Sequence, residues 1–257
     1  MDRESIRATF ADRGVVRLDG AFSRDGATRL GDVIWRYAER KVGVKHDDPS
    51  TWPTGWLPIS WKGLKGTTAF EVALDNRAVA TALDAIFDPG GWRRPKPGAQ
   101  VLFTLPAPGP WALPDSWHMD CGFEEPTWPV RTVKMFGFFG EVGPCGGGTM
   151  LLPGSHRLVD RYRSAFEEPP GGGKANWQRF LRHHPPLGDL LTGARQPDLG
   201  RSMIGDRYEI DDVPVEVVEL TGAPGDVVIT HLHVFHAASP NTSDTPRQMF
   251  GKVIAVA

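Results

Sequence analysis

Cysteine is nearly missing from this chain: its 257 residues hold Cys121 and Cys145 and no others. Two thiols at that spacing form neither a disulfide framework nor a metal-binding cysteine pattern. They read as buried or loop thiols in a reducing compartment, so a cytoplasmic protein is expected. An excess of charge is missing too. The 29 basic and 31 acidic side chains leave a formal charge of −2, which points to neither nucleic acid nor an anionic membrane as a partner. No apolar run approaches membrane-spanning length, and Met1-Asp2-Arg3-Glu4-Ser5 has no apolar signal core. Phosphate cradles are absent as well. Gly146-Gly147-Gly148 does not follow a strand and open a helix with the dinucleotide glycine spacing. Gly171-Gly172-Gly173-Lys174 fails as a P-loop, because Glu168 stands six before the lysine and Ala175 follows it.

What remains is a chain with enough apolar residues, 40%, for a real core. A single domain over 1–257 is expected. Residues 2–12 read as a short helix ending at Arg13-Gly14, followed by a strand at Val15 to Leu18. Ser23 reads as the N-cap of a helix through Lys41, and Asn76 as the N-cap of one through Phe87. Between them, residues 49–66 form an irregular loop of Trp52, Trp56 and Trp61 among prolines and glycines. It is either pinned by its own tryptophans or a wall of a substrate pocket. Strands are expected at Gly98 to Leu105, Val130 to Phe139, Val213 to Leu220, Val227 onward and Arg247 to Val256. Residues 160–207 are rich in proline and glycine, with a helical piece at Trp177 to His183, and read as a cover over the pocket. His183-His184 reads as solvated. Many short strands with Gly/Pro turns imply a mainly β sandwich or barrel with flanking helices.

The chemistry gathers in two distant stretches. In His118-Met119-Asp120, residues two apart share one face of a strand, so His118 and Asp120 can aim at one ion. A third imidazole from a distant strand completes two histidines and one carboxylate, a set that suits iron(II) and leaves positions open. Three candidates lie in His231-Leu232-His233-Val234-Phe235-His236. His231 and His233 share a strand face, and a two-histidine pair there could itself clip a metal. His236 precedes the turn at Ser239-Pro240-Asn241, and Arg247 follows it by eleven residues on the return strand. A buried arginine beside a metal asks for an anionic ligand that can take its planar fork. Cys121 and Trp117 flank the pair and face the opposite way.

This constellation resembles the phytanoyl-CoA dioxygenase-like family of iron(II)/2-oxoglutarate oxygenases. The resemblance rests on His118-x-Asp120, on the block Gly146 to Arg157 containing Pro153-Gly154-Ser155-His156, and on His236-Ala-Ala-Ser-Pro-Asn241 with Arg247 beyond. It departs where the family often has serine two residues after the distal histidine; here Ala238 stands there and Ser239 follows. The resemblance implies a double-stranded β-helix (jelly roll, cupin-like), with iron(II) on His118, Asp120 and His236. It also implies 2-oxoglutarate and O2 as co-substrates, with Arg247 on the far carboxylate of 2-oxoglutarate. Phe136 falls where related sequences place an aromatic against the co-substrate. Gln100 and Thr104 share a strand face and either bind co-substrate or substrate or form the wet face of an edge strand. Thr132 and Lys134 share the face of Phe136 and could reach the metal-side carboxylate, an exposed lysine being the usual alternative. His156 either contacts the site or packs its turn.

The implied activity is hydroxylation of a small molecule such as a natural-product intermediate or modified amino acid, by a monomer or homodimer. Desaturation, epimerisation and ring formation begin from the same hydrogen abstraction. Halogenation is disfavoured because Asp120 fills the position a halide would take. Two other classes remain: a jelly-roll metal- or small-molecule-binding module without oxygenase activity, and a zinc hydrolase. Neither needs Arg247.

Overall fold

The helices begin and end where side-chain chemistry dictates. In the computed structural model, which describes residues 1–168, 170–193 and 203–257, helix α1 runs Arg3–Arg13 and α2 runs Arg24–Val42. Asp2 and Ser23 accept from the backbone N–H of Ser5 and Gly26 and so satisfy first-turn donors. Gly14 and Gly43 end the two helices in the left-handed region, at φ 67° and 75°. Gly14 is also a point of close approach. A Cβ there would lie 2.6 Å from Val234 Cγ2 and 2.7 Å from His156 Nδ1. After the tryptophan loop come two further helices, α3 (Glu71–Leu74) and α4 (Arg77–Phe87), the latter capped by Asn76.

The strands are β1 (Val15–Leu18), β2 (Gln100–Thr104), β3 (Thr132–Phe138), β4 (Thr149–Leu152), β5 (Arg207–Ile210), β6 (Val213–Glu216), β7 (Val218–Glu219), β8 (Val227–His231), β9 (Phe235–Ala238) and β10 (Arg247–Ala255). Five of them form an antiparallel sheet in the order β1-β8-β3-β10-β2; three form a second, β7-β4-β9; β5 and β6 pair alone. The expected strand at 213–220 is thus broken into β6 and β7, which join different sheets. The expected His-x-Asp strand is reduced to one bridge. His118 pairs with His236 on β9, and residues on either side are irregular.

Strand alternation sorts the side chains into layers. One face of the large sheet, with Val133, Met135, Ile229 and Phe250, packs under α1, α2 and α4 through Phe10, Leu30, Ile34 and Leu83. The opposite face, with Phe136, Phe138, Val228 and Met249, meets Leu151 and Val234 between the two sheets. Met150, Leu152, Phe235 and Ala237 face outward from the small sheet, beneath α5 (Ser155–Ser164), α6 (Lys174–His183) and α7 (Pro185–Gly193). The expectation set residues 160–207 over the pocket. Their described part instead covers the outside of the small sheet, through Phe180, Leu187 and Leu190; residues 169 and 194–202 lie outside the described residues. Among the described residues no helix is long and apolar enough to cross a membrane.

The tryptophan loop divides its labour. Trp52 stacks on Trp35 at 5.9 Å and Trp61 lies 5.8 Å from Phe103, so both pin the loop to α2 and β2. Trp56 stays 61% exposed.

The two helix-ending glycines separate backbone strain from crowding. Gly43 has nothing within 4 Å of a built Cβ. Gly43→Ala should therefore cost about 1 kcal/mol of unfolding free energy, from the positive φ alone. Gly14→Ala adds overpacking and should cost roughly 2–4 kcal/mol. Urea unfolding of both variants checks this; equal losses would contradict the close approach at Gly14.

Candidate metal centre

His118 and His236 exchange both backbone hydrogen bonds, 3.0 Å and 2.9 Å, which fixes the tripeptide against β9. The Asp120 N–H donates to the Leu232 carbonyl at 3.2 Å and fixes the other end. The two imidazoles consequently stand 4.3 Å apart, centroid to centroid. In each ring Nδ1 lies against the backbone carbonyl two residues earlier: Ser116 at 2.9 Å for His118 and Val234 at 3.0 Å for His236. An Nδ1–H given to a carbonyl leaves the Nε2 lone pair for a metal. Asp120 Oδ2 lies 3.4 Å from His236 Nε2, and one donor atom from each of the three residues falls within 4.8 Å of the others. Ligands at right angles on bonds of ~2.1 Å stand about 3 Å apart, so a small contraction closes the set on one ion. The donors, two neutral nitrogens and one carboxylate on one side, fit iron(II).

The charge of this group is arranged by Lys134. Its ammonium lies 2.8 Å from Asp120 Oδ2 and 5.7 Å from the centre of the Phe136 ring. Burial alone would raise the Asp120 carboxyl, but the His236 ring and the Lys134 ammonium outweigh it and hold the group well below the ordinary carboxylate range. Room for Lys134 comes from Gly251 on the neighbouring strand, where a Cβ would sit 3.3 Å from the lysine Cε. The exposed-lysine alternative fails here, since the Lys134 side chain is 13% exposed.

Arg247 begins β10 and faces the space between the sheets, with 2% of its surface exposed. It donates to the Thr149 hydroxyl at 2.7 Å and lies beside the Met249 sulfur. Burial lowers its pKa to about 10, and Glu219 works the other way, so it stays charged at neutral pH. Thr104 pairs with Arg247 in register and so shares its face. The Thr104 hydroxyl is buried and has no hydrogen-bond partner among the described residues. A buried guanidinium next to an unused hydroxyl fits the carboxylate tail of a 2-oxo acid. Thr149 escaped the sequence reading. The signal available was its position two before Leu151, on the inward face of a strand entering the Pro-Gly-Ser-His turn.

The remaining expected residues divide. Phe136 meets His236 edge-to-face at 6.5 Å. Gln100 lies opposite Gly251, four residues along β2 from Thr104, at an exposed cleft also lined by Lys134. Thr132 pairs with Ala255, eight residues along β10 from Arg247, and lines a separate hollow with Cys121, His231 and His233.

His231 and His233 do not share a strand face, because the chain turns after His231. Their Nε2 atoms lie against the Thr127 and Gly122 carbonyls at 3.0 and 3.1 Å, and Nδ1 of His231 accepts from the His233 backbone. With His156, whose ring lies 5.3 Å from His231, they form a buried neutral trio. His156 packs its turn, as the second alternative had it, with Nε2 against the Ala11 carbonyl. Ser155 beside it accepts from the Phe235 N–H and anchors β9. His184 is not solvated as expected: it is buried and paired with Asp211, while His183 is exposed. Cys121 is half-buried, and burial pushes its thiol up to about 12.

The sequence pattern of the phytanoyl-CoA dioxygenase (PhyH) family matches residues 12–249. No curated protein matches the chain. Among solved structures, the epimerase SnoN in complex with Fe3+, alpha ketoglutarate and nogalamycin RO superimposes with a TM-score of 0.55 at 16% identity, over 98% of this chain and 83% of that one. AviO1 from Streptomyces viridochromogenes Tue57 gives 0.53 at 16% identity, over 99% and 95%. The non-heme monooxygenase ThoJ, as its nickel complex, gives 0.52 at 14% identity, over 98% and 77%. At such identities the likeness is one of fold.

Two outcomes are expected. His236→Ala should weaken iron(II) binding at least about 100-fold, and His233→Ala should leave it unchanged; anaerobic metal titration reads both, and the reverse order would reassign the third ligand. The second concerns pH. Burial lowers His156 to about 4 and His231 to about 3, so the unfolded chain takes up their protons first, near 6.5. Stability is then lost as pH falls below 6.5, by up to about 2 kcal/mol for His156 between pH 6.5 and 5. Urea unfolding should show a shallower pH slope in His156→Gln; an unchanged slope would contradict the assignment.

Proposed function

Because the chain belongs to the phytanoyl-CoA dioxygenase family, whose cofactor is iron(II) and whose co-substrates are 2-oxoglutarate and O2, we propose that it is a dioxygenase that hydroxylates a small molecule. The observation that supports this best is the triad itself: three donor atoms within 4.8 Å, both histidines turned Nε2-outward by backbone carbonyls. We place it in a double-stranded β-helix, the large sheet facing the small one. Iron(II) held there, with 2-oxoglutarate and O2 as co-substrates, would supply the oxidising power to break an unactivated C–H bond.

The protein's own part follows from its side chains. His118 and His236 keep one tautomer because their Nδ1 protons are engaged. Asp120 stays ionised and is held in one rotamer by Lys134. Arg247 and Thr104 bind the far carboxylate of 2-oxoglutarate, Arg247 being steadied by Thr149. Phe136, Phe138 and Met249 exclude water between the two ends of the site. A metal-binding module or a zinc hydrolase would have no use for a buried arginine with an unused hydroxyl beside it. The fold neighbours from nogalamycin biosynthesis support a natural-product intermediate as the substrate.

Calorimetric titration of 2-oxoglutarate into the anaerobic iron(II) protein tests the assignment of Arg247. Arg247→Ala should weaken 2-oxoglutarate about 100-fold while iron affinity stays the same. Equal 2-oxoglutarate affinity in the variant would remove Arg247 from this role.

A further inference from the structure

A cleft of about 710 Å³ opens beside the metal group, between the tryptophan loop and the ends of β2 and β10. Its size suits one small molecule. Trp56, Trp61, Lys62, Lys65, Gln100 and Lys134 form much of its wall, and among the described residues no acidic side chain does. Such a one-signed lining stands out in a chain whose formal charge is −2. Lys134 links the cleft to the chemistry, because its stem lines the wall and its ammonium touches Asp120. Lys252, also on the wall, is tied back to the Lys96 and Gly98 carbonyls at 2.7 and 2.6 Å. Lys62 and Lys65 are exposed, and neither makes a salt bridge among the described residues. The same wall carries an exposed indole, Trp56, whose backbone bridges to Thr104 and so is held at the edge of β2.

We propose that this cleft is the substrate site and that it selects an anionic small molecule with a flat ring, the acid group at Lys62 and Lys65 and the ring on Trp56. The inference rests on the oxygenase reading for the word substrate, but the selectivity of the cleft stands on its own lining. Ring stacking on an indole is tolerant of ring identity, whereas the lysines discriminate by charge. The far carboxylate of 2-oxoglutarate does not compete for these lysines, since Arg247 takes it from between the sheets. An oligonucleotide is the lesser fit: the lysines sit around one compact hollow rather than along a track, and a formal charge of −2 gives the chain no general attraction for polyanions.

Two fluorescent probes with the same aromatic frame test it: 8-anilinonaphthalene-1-sulfonate, which is anionic, and N-phenyl-1-naphthylamine, which is neutral. Both are titrated into the full chain in excess 2-oxoglutarate, so that Arg247 is engaged. The sulfonate should bind at least about tenfold more tightly than the neutral probe. The Lys62→Glu/Lys65→Glu double variant should lose about tenfold for the sulfonate and little for the neutral probe. Trp56→Ala should weaken both. All three side chains are exposed, and circular dichroism confirms that the variants fold. Equal affinities for the two probes, no binding of the sulfonate, or sulfonate binding indifferent to the charge reversal would each overturn the proposal. Discrimination in a protein that binds no 2-oxoglutarate would sink the oxygenase reading and leave the cleft standing. Its loss in a protein that does bind 2-oxoglutarate would sink the cleft alone.

Discussion

Two backbone hydrogen bonds between His118 and His236 hold the candidate site together. Among the described residues they make the one β-bridge of the His-x-Asp segment, and they set residues over a hundred positions apart face to face. An antiparallel hydrogen-bonded pair brings Cα atoms to about 5.5 Å, which suits two imidazoles sharing one ion. Everything around it keeps that pair in place. β9 is fixed on its other side by β4, and its first N–H is taken by Ser155. Ser155 in turn sits in a turn that is locked against α1 through Gly154, which donates to the Arg13 carbonyl. The Pro-Gly-Ser-His block therefore acts as a joint between the N-terminal helix and the strand bearing His236. Its histidine is a packing residue.

Electrostatics divides the interior into two kinds of imidazole. His156, His231 and His233 are buried, neutral and committed to carbonyls, so they stabilise the joint above their unfolded pKa and weaken it below. His118 and His236 spend Nδ1 on a carbonyl in the same way, but each offers a donor atom within 4.8 Å of Asp120, and His236 Nε2 lies 3.4 Å from its carboxylate. The difference lies in what the second nitrogen meets. Charged groups follow the same economy. Asp120 has Lys134, while Arg247 is buried, donates to the Thr149 hydroxyl and feels the charge of the buried Glu219 carboxylate.

Much of this was legible in the chain because the signals were local. Ser23 and Asn76 cap helices, Gly14 ends one, and period-two alternation puts Phe136 and Phe138 between the sheets. The triad and Arg247 were legible from spacing and resemblance, since a turn followed by a return strand leaves few places for the arginine. Other features depend on distant partners. Nothing near His184 announces Asp211, and nothing near Lys134 announces the cavity that Gly251 leaves for it. The turn after His231 overrode a strand pattern that would have paired His231 with His233, because the His233 N–H finds the His231 ring instead. Thr132, Gln100 and Thr104 were read from facing alone; Thr104 lies opposite Arg247, and Gln100 lines the cleft shared with Lys134. Facing says which side of a sheet a residue takes, while register decides how far along it lies, and register placed Thr132 at the opposite end of β10 from Arg247.

The central claim is that His118, Asp120 and His236 hold one iron(II) that 2-oxoglutarate then chelates. The most direct measurement is the visible spectrum of metal-free protein under anaerobic conditions, with iron(II) added first and 2-oxoglutarate second. The account predicts a weak charge-transfer band that needs both additions and is absent in His118→Ala. Iron binding without such a band, or a band that survives in His118→Ala, would contradict it.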